Sequence, residues 1–482
     1  MPEPEPYDAL ILGSGQAGTP LAAELGRAGW RVAIAEREHW GGTCVNEGCS
    51  PTKLMIACAE TAHRARRARD YGVEAGPVRV DLGEVRRLKR ELVASFAGGS
   101  ERRLRGTQGV TPLLGHARFT GPGEVSVRTP QGERRLTAGH IFVNVGARPA
   151  LPPVPGLGHV PHLLTSTSIM ELDAVPGRLV VLGGGYVGLE FAQMFARFGS
   201  HVTVLHTGAQ IVDREDEDVA GTLLGALREE GLDVHVLVRD LRVEPGPEGE
   251  ATLHFRTPEG PCVRHTRHLL VATGRVPNTD SLGVEAAGIE LDARGFIPVN
   301  ADLETNVPGV YALGDVNGGP AFTHVAYDDY RLVRDRLLHG RGHLHRLPTY
   351  TLFTDPQLGR VGLSEREARA RNLDILVATL PMAYVARAIE TRRTAGMMKA
   401  VVDRKTHRIL GAAVLGPEGG EVAATLQMAM LGGLPFTTLR DAVISHPTLA
   451  ESLNNLFMTL GDVPPLAESD SVAFHPAGEL HA

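Results

Sequence analysis

Cys44 and Cys49 stand close together in the run Gly41-Gly42-Thr43-Cys44-Val45-Asn46-Glu47-Gly48-Cys49-Ser50-Pro51-Thr52-Lys53. Two thiols at this spacing can close a disulfide if the chain bends between them. Pro51 suits the first turn of a helix, where its missing N–H costs nothing. Cys49 then lies at a helix N-terminus, where the dipole stabilises a thiolate and lowers its pKa. A structural bridge or a metal pair would use the same residues. A tetrahedral metal site needs about two further ligands, and the chain offers no second close cysteine pair: Cys58 and Cys262 stand alone. Redox exchange is therefore the chemistry this loop favours, and no metal ligands are assigned. Far along the chain, His446-Pro447-Thr448-Leu449-Ala450-Glu451 sets a histidine near a carboxylate. Such a histidine takes and returns protons near neutral pH, which thiol–disulfide exchange demands of its attacking and leaving sulfurs. Taken alone, the segment reads more plainly as a loop-capping histidine.

The elements that must position these groups begin before the cysteines. Tyr7 to Leu12 read as a strand running into Gly13-Ser14-Gly15-Gln16-Ala17-Gly18, with a helix to about Ala28 and a second strand, Arg31 to Ala35, closing at Glu36. In that context the first glycine permits a tight turn, the second admits a pyrophosphate to the backbone amides, and the third lets helix and strand pack. The diphosphate then meets the helix N-terminus, and Glu36 is placed to accept from a ribose diol. The pattern recurs. Arg178 to Leu182 lead into Gly183-Gly184-Gly185-Tyr186-Val187-Gly188, a helix to about Phe198, and a strand His201 to Leu205, with His206 at the register of Glu36. An acid there accepts from a 2′-hydroxyl and repels a 2′-phosphate. His206 does neither strongly, so the second site tolerates NADPH, but Thr207 brings no arginine to clamp a phosphate. The choice between NADPH and NADH leans only slightly to NADPH. Two such sites suggest an enzyme relaying electrons between two cofactors; the alternative is that one fold is degenerate and empty.

At 482 residues the chain is too long for one core, and about 100–200 residues per domain suggests three or so. With 43% hydrophobic and 22% charged residues it has a globular composition, and no apolar run approaches the ~18–20 residues of a membrane span. A net charge of −7 argues against a dedicated nucleic-acid binder, and the basic run from His63 to Arg69 reads as a solvated helix face. The N-terminus shows no secretory signal. Four cysteines make no disulfide framework, so a reducing cytoplasm is the expected location.

The cysteine loop and both fingerprints occur together with Ala272-Thr273-Gly274-Arg275-Val276-Pro277-Asn278, Gly314-Asp315, and His446-Pro447-Thr448 with Glu451. With these motifs the chain resembles the class I pyridine nucleotide–disulfide oxidoreductases (glutathione reductase, dihydrolipoamide dehydrogenase and mercuric reductase among them) over nearly its whole length. The resemblance implies an α/β fold: two Rossmann-like dinucleotide-binding domains, for FAD and NAD(P), and a C-terminal α+β dimerisation domain. The boundaries expected are 1–155 and 280–347 for the FAD domain, 156–279 for the NAD(P) domain, 348–462 for dimerisation, and a mobile tail from 463. It implies electron flow from NAD(P)H through FAD to a Cys44–Cys49 disulfide and on to a small disulfide or other thiol-reactive substrate. Cys49 resembles the thiol nearer the flavin and Cys44 the interchange thiol. Lys53 resembles the lysine beside the flavin ring, paired with Glu190, and Tyr186 resembles an aromatic gate over the flavin. FAD contacts are implied for Gly13, Gly15, Gly18, Glu36, Gly42, Thr43, Gly146, Gly314 and Asp315. The second cofactor is assigned Gly183, Gly185, Gly188, His206 and Gly274. The His446–Glu451 pair is implied to serve the other subunit of a homodimer, with a cis bond before Pro447. By its own chemistry Thr323 is an N-cap for the helix beginning there.

Some residues depart from the relatives. Mercuric reductase adds a C-terminal cysteine pair and often an N-terminal metal-binding domain, and this chain has neither. It also carries His446, which mercuric reductases generally lack. Yet Pro51-Thr52-Lys53 and Arg387-Ala388-Ile389-Glu390 look most like the mercuric reductase-like proteins. Dihydrolipoamide dehydrogenases normally have an acid where His206 stands. Glu47, usually apolar in the family, disfavours a thiolate nearby unless it points to solvent. Cys58 reads as a packed small residue. The leading reading is an NAD(P)H-dependent disulfide reductase. A Hg(II) reductase using Cys44 and Cys49, a dihydrolipoamide dehydrogenase and a non-enzymatic flavin redox sensor are the alternatives.

Overall fold

In the computed structural model, residues 3–160, 162–246, 249–341 and 346–461 are described. Two compact units emerge. One holds the chain through Thr207 and resumes at His235 until the stretch before Arg346; the other holds Gly208–Val234 and the chain from Arg346 onward.

The first unit is built on a sheet whose centre is apolar on both faces, as parallel strands covered on both sides must be. Glu5–Leu12 lies between Val32–Glu36 and Gly132–Val143, all parallel, with Val110–Leu114 outside the former and Val310–Ala312 parallel to the latter. The antiparallel strands Glu124–Thr129 and His116–Gly121 extend the sheet. Ile11, Ile34 and Phe142 are fully buried on one face with Leu21 and Leu25 of helix Gly18–Arg27, each such side chain contributing about 1.5–3 kcal/mol of burial. Register decides function here. Leu12 pairs with Ala35 and Val143, and Val143 pairs with Ala312, so Gly13, Glu36, Asn144 and Gly314 emerge together at the carboxyl ends of the strands, where such sheets bind ligands.

A second parallel sheet repeats the plan, with His201–Leu205 beside Arg178–Leu182, then His268–Val271 and Leu163–Leu164. Leu182 pairs with Leu205 and Val271, which brings Gly183, His206 and Ala272 to one end. A three-stranded antiparallel meander, Arg239–Pro245, Ala251–Thr257 and Gly260–Thr266, packs its Val243, Leu253 and Phe255 against this sheet's core. The repeat reaches single atoms. Gly13 has φ +101°, and a Cβ there would lie 2.3 Å from Asn144 O. Gly183 has φ +114°, and its Cβ would lie 2.3 Å from Ala272 O. Only glycine fits either turn.

The second unit is a five-stranded antiparallel sheet in the order Thr349–Leu352, Gln357–Gly362, Ile409–Gly416, Met397–Asp403, Ile375–Pro381. Helix Gly419–Leu431 packs Val422, Ala423 and Leu426 into its core while Met428 and Leu431 stay exposed. Residues 208–234 group with this unit, and buried charge ties them to its sheet. Glu215 and Asp216 are buried with Arg360 and Lys399. Arg360 Nε donates to Glu215 Oε2 at 3.1 Å, and Lys399 Nζ meets Glu365 at 2.7 Å and Asp218 at 2.8 Å. Charges this deep are tolerated only when paired. Among the described residues no helix is long and apolar enough to cross a membrane. The tail from Val463 lies outside the described residues.

Candidate active site

The cysteine loop is held by the first fingerprint. Ser14 Oγ accepts from Gly41 N–H at 3.0 Å, and Asn46 Nδ2 donates to Trp40 O and Gly42 O at 3.0 and 2.9 Å. Gly42–Asn46 forms a short helix carrying Cys44, and Cys49 opens the long helix Cys49–Arg66, with Pro51 in its first turn. Both cysteines are free thiols. They differ sharply in acidity. The hydrogen bond from Cys44 lowers the Cys49 pKa to about 6, with the Thr323 hydroxyl and the Lys53 charge assisting and burial and Glu190 opposing. The same bond, with burial, pushes the Cys44 thiol far up. Burial also raises the Cys58 thiol, half-buried on the long helix.

Thr323 was expected to cap its helix. Instead Phe322 is the N-cap residue with no side-chain cap, and Thr323 is the first helical residue of Thr323–His339. Its hydroxyl lies 3.1 Å from Cys49 Sγ, a bond between residues 274 apart in the chain. A polar partner for sulfur outcompetes a local cap here, and the free cap position costs only about 1 kcal/mol. Lys53 Nζ donates to Glu190 Oε2 at 2.7 Å. Glu47 accepts from the Thr167 hydroxyl at 3.1 Å, so its carboxylate is engaged within the protein.

A cavity of about 390 Å³ joins these groups. Its walls include Gly13, Gly15, Glu36, Gly42, Thr43, Cys44, Glu47, Cys49, Lys53, Gly146, Glu190, Gly314, Asp315 and Thr323. Gly18 lies beneath it, its N–H bound by Asn144 Oδ1 at 2.9 Å. Asn144 Nδ2 donates to Leu313 O at 2.7 Å. This buried asparagine, which no sequence motif picks out, ties the first fingerprint to Gly314-Asp315. Its only sequence signal is a polar residue closing an apolar strand. Burial raises the Asp315 carboxyl against the pull of Arg275, whose Nε lies 3.5 Å away. That Nε is buried with no hydrogen-bond partner among the described residues. A glycine turn, an acid closing the second strand, a half-buried carboxyl and an unsatisfied guanidinium nitrogen along one cavity fit a flavin dinucleotide.

Gly183, Gly185, Gly188, Tyr186, His206 and Gly274 do not line this cavity and belong to the second sheet's end. The Tyr186 ring lies 6.2 Å from that of Phe322, which does line it. In the second unit, His446 Nδ1 pairs with Glu451 at 2.9 Å beside a cis His446–Pro447 bond. Among the described residues no group of three or more His, Cys, Asp or Glu side chains is arranged to hold a metal ion.

Two dinucleotide folds and a thiol pair on the wall of one cavity define an enzyme class that exchanges electrons between nucleotide cofactors and sulfur. Residues 7–329 match the pyridine nucleotide-disulphide oxidoreductase model and residues 348–457 its dimerisation domain. The chain belongs to the pyridine nucleotide-disulphide oxidoreductase family. It is 38% identical over 459 residues to the probable pyridine nucleotide-disulfide oxidoreductase RclA of Escherichia coli, covering 94% of this chain and 98% of that one. It is 33% identical over 456 residues to a mercuric reductase of Bacillus cereus, covering 94% and 71%. A Cu(II) complex of the HOCl-induced flavoprotein disulfide reductase RclA from Escherichia coli superposes with a TM-score of 0.85 at 37% identity, covering 94% of this chain and 99% of that one. The protein is thus an FAD-dependent oxidoreductase that draws electrons from NAD(P)H and acts on sulfur groups.

Proposed function

We propose that the chain reduces a small disulfide through Cys44 and Cys49, working as a homodimer in a reducing compartment. The observation that carries this is the placement of both thiols on the wall of one cavity, with Cys49 Sγ 3.1 Å from the Thr323 hydroxyl and Lys53 paired to Glu190 on the same wall. The bond to Cys49, with burial, pushes the Cys44 thiol up. A thiol held protonated cannot attack until a base removes its proton. The His446–Glu451 pair is the base that fits, supplied by one subunit to the cysteines of the other, and the dimerisation domain supports that arrangement.

Bound FAD supplies the two-electron link between a nicotinamide hydride and a disulfide. The chain's residues do the remainder. His446 takes the Cys44 proton, and Cys44 sulfur attacks one substrate sulfur, breaking the S–S bond. The leaving thiolate receives the proton from His446 and departs as a thiol. Cys49 thiolate then attacks Cys44 sulfur, releasing the second product thiolate, which takes a proton, and closing Cys44–Cys49. Two electrons from NAD(P)H reopen that bond. Lys53, held by Glu190, places a cation in the cofactor cavity, where it favours negative charge on a reduced ligand.

A second reading is favoured by the low Cys49 pKa, since a thiolate with a neighbouring thiol binds soft metal ions. The mercuric reductase relative and the Cu(II) complex of RclA support such a substrate, held by Cys44 and Cys49 alone. Turnover of lipoamide, a panel of disulfides and Hg(II) by wild type and His446→Ala separates the readings. Disulfide turnover should fall by about 10²–10⁴ in the variant, with FAD content unchanged. Full disulfide activity without His446 would refute the proposed proton path, and Hg(II) reduction alone would favour the second reading.

A further inference from the structure

The two fingerprints use the same anchor for different side chains. In the first, the residue after the turn glycine is Ser14, whose N–H and hydroxyl donate to Glu36 Oε2 at 2.9 and 2.6 Å. In the second, the residue after Gly183 is Gly184, whose N–H donates to His206 Nδ1 at 3.2 Å. One backbone amide thus fixes the residue closing the second strand in each half. The two anchored side chains are opposite in character. Glu36 is an anion that only accepts. His206 accepts at Nδ1 and, unlike Glu36, brings no carboxylate to this place. The carboxylate that would repel a 2′-phosphate is gone.

A cation reaches the same place from another strand. Val238 N–H donates to His206 O at 3.0 Å, which sets the start of Arg239–Pro245 beside the end of His201–Leu205. Arg239 Nη1 then donates to Thr207 O at 2.5 Å and to Val238 O at 2.9 Å. Arg239 is exposed, and its Nε and Nη2 have no hydrogen bond among the described residues. Among the described residues no carboxylate pairs with it, the adjacent Asp240 included. Two carbonyls hold one end of the guanidinium while two donor nitrogens remain for a ligand, the fork geometry that suits a phosphate monoester.

We propose that Arg239 and His206 form a 2′-phosphate site that makes the enzyme select NADPH over NADH. The inference rests on the second fold taking the pyridine nucleotide and is independent of the roles given to Cys44, Cys49 and His446. Direct binding tests it, with adenosine 2′,5′-bisphosphate and 5′-AMP titrated calorimetrically into the FAD-loaded full-length protein. Wild type should bind the bisphosphate at least about tenfold more tightly, with a margin that narrows as salt is raised. Arg239→Gln should bring the two affinities within about twofold, and Arg239→Lys, which keeps charge without the fork, should fall between. His206→Glu should reverse the order. The KM ratio of NADPH to NADH should move the same way in each variant, and the flavin spectrum reports folding. Equal binding of the two probes by wild type would overturn the proposal, as would an undiminished margin in folded Arg239→Gln. Neither result would change the number of thiols exposed on reduction, so failure here is distinct from failure of the disulfide mechanism.

Discussion

In both nucleotide-binding halves a glycine at positive φ turns the chain under a backbone oxygen, and in both the amide of the next residue anchors the side chain closing the second strand. The halves part company at the residue after the turn glycine, Ser14 against Gly184, at that anchored side chain and in the segment after it. Glu36 leads into the cysteine loop, which Ser14 Oγ binds directly through Gly41. His206 leads to Thr207, whose carbonyl holds Arg239. The backbone plan is thus a generic device for a diphosphate. Ligand identity and redox chemistry are written into a few side chains placed on it.

The comparison is broken most severely by adding one carbon to either turn. Gly13→Ala should yield protein without FAD, whereas Gly183→Ala should keep FAD yet bind NADPH about ten- to a hundredfold more weakly, since left-handed strain alone costs ~1–3 kcal/mol. Flavin absorbance after gel filtration and calorimetric titration check the two halves. Equal loss of FAD in both variants would mean that the folds are not separable. Replacing the anchored residues is expected to be milder. Glu36→Ala removes two charge-assisted bonds from Ser14 and a third from the Glu38 N–H, and should loosen FAD by about ten- to a hundredfold. His206→Ala removes the side chain that the Gly184 N–H anchors and should weaken NADPH by no more than about tenfold, both read from equilibrium binding. The smallest effect sharpens the redox side, which only the first half possesses. In chemically reduced protein, alkylation of Cys49 should be fast above a midpoint of about pH 6 and slow as pH falls through it. Thr323→Val removes a donor to the sulfur and should raise that midpoint by about one unit. An unmoved midpoint would show that the 3.1 Å contact does not stabilise the thiolate.

Much of this was legible in the chain because the information is local. A glycine turn, the acid closing its strand and a cysteine opening a helix are each specified within a few dozen residues. Lys53 with Glu190 was reached only through family resemblance, since the partners are 137 residues apart. Contacts made by the tertiary fold escaped. Thr323 reads as a cap because its chemistry suits one, and only the packed structure brings Cys49 to its hydroxyl. Arg239 belongs to no local pattern around His206, because strand placement delivers it from 32 residues beyond Thr207. Glu47 looks out of place in its loop, and its partner Thr167 lies 120 residues away. The grouping of residues 208–234 with the C-terminal sheet follows from Glu215 and Asp216 finding their cations there, which no local pattern announces.

The central claim is that Cys44 and Cys49 gain and lose electrons with the nicotinamide. Counting reactive thiols in denatured protein, before and after anaerobic reduction by NADPH, tests it most directly. Of the four cysteines, two should react before reduction and all four after it, with no such gain in Cys49→Ser. A count that is the same before and after full reduction would contradict the account.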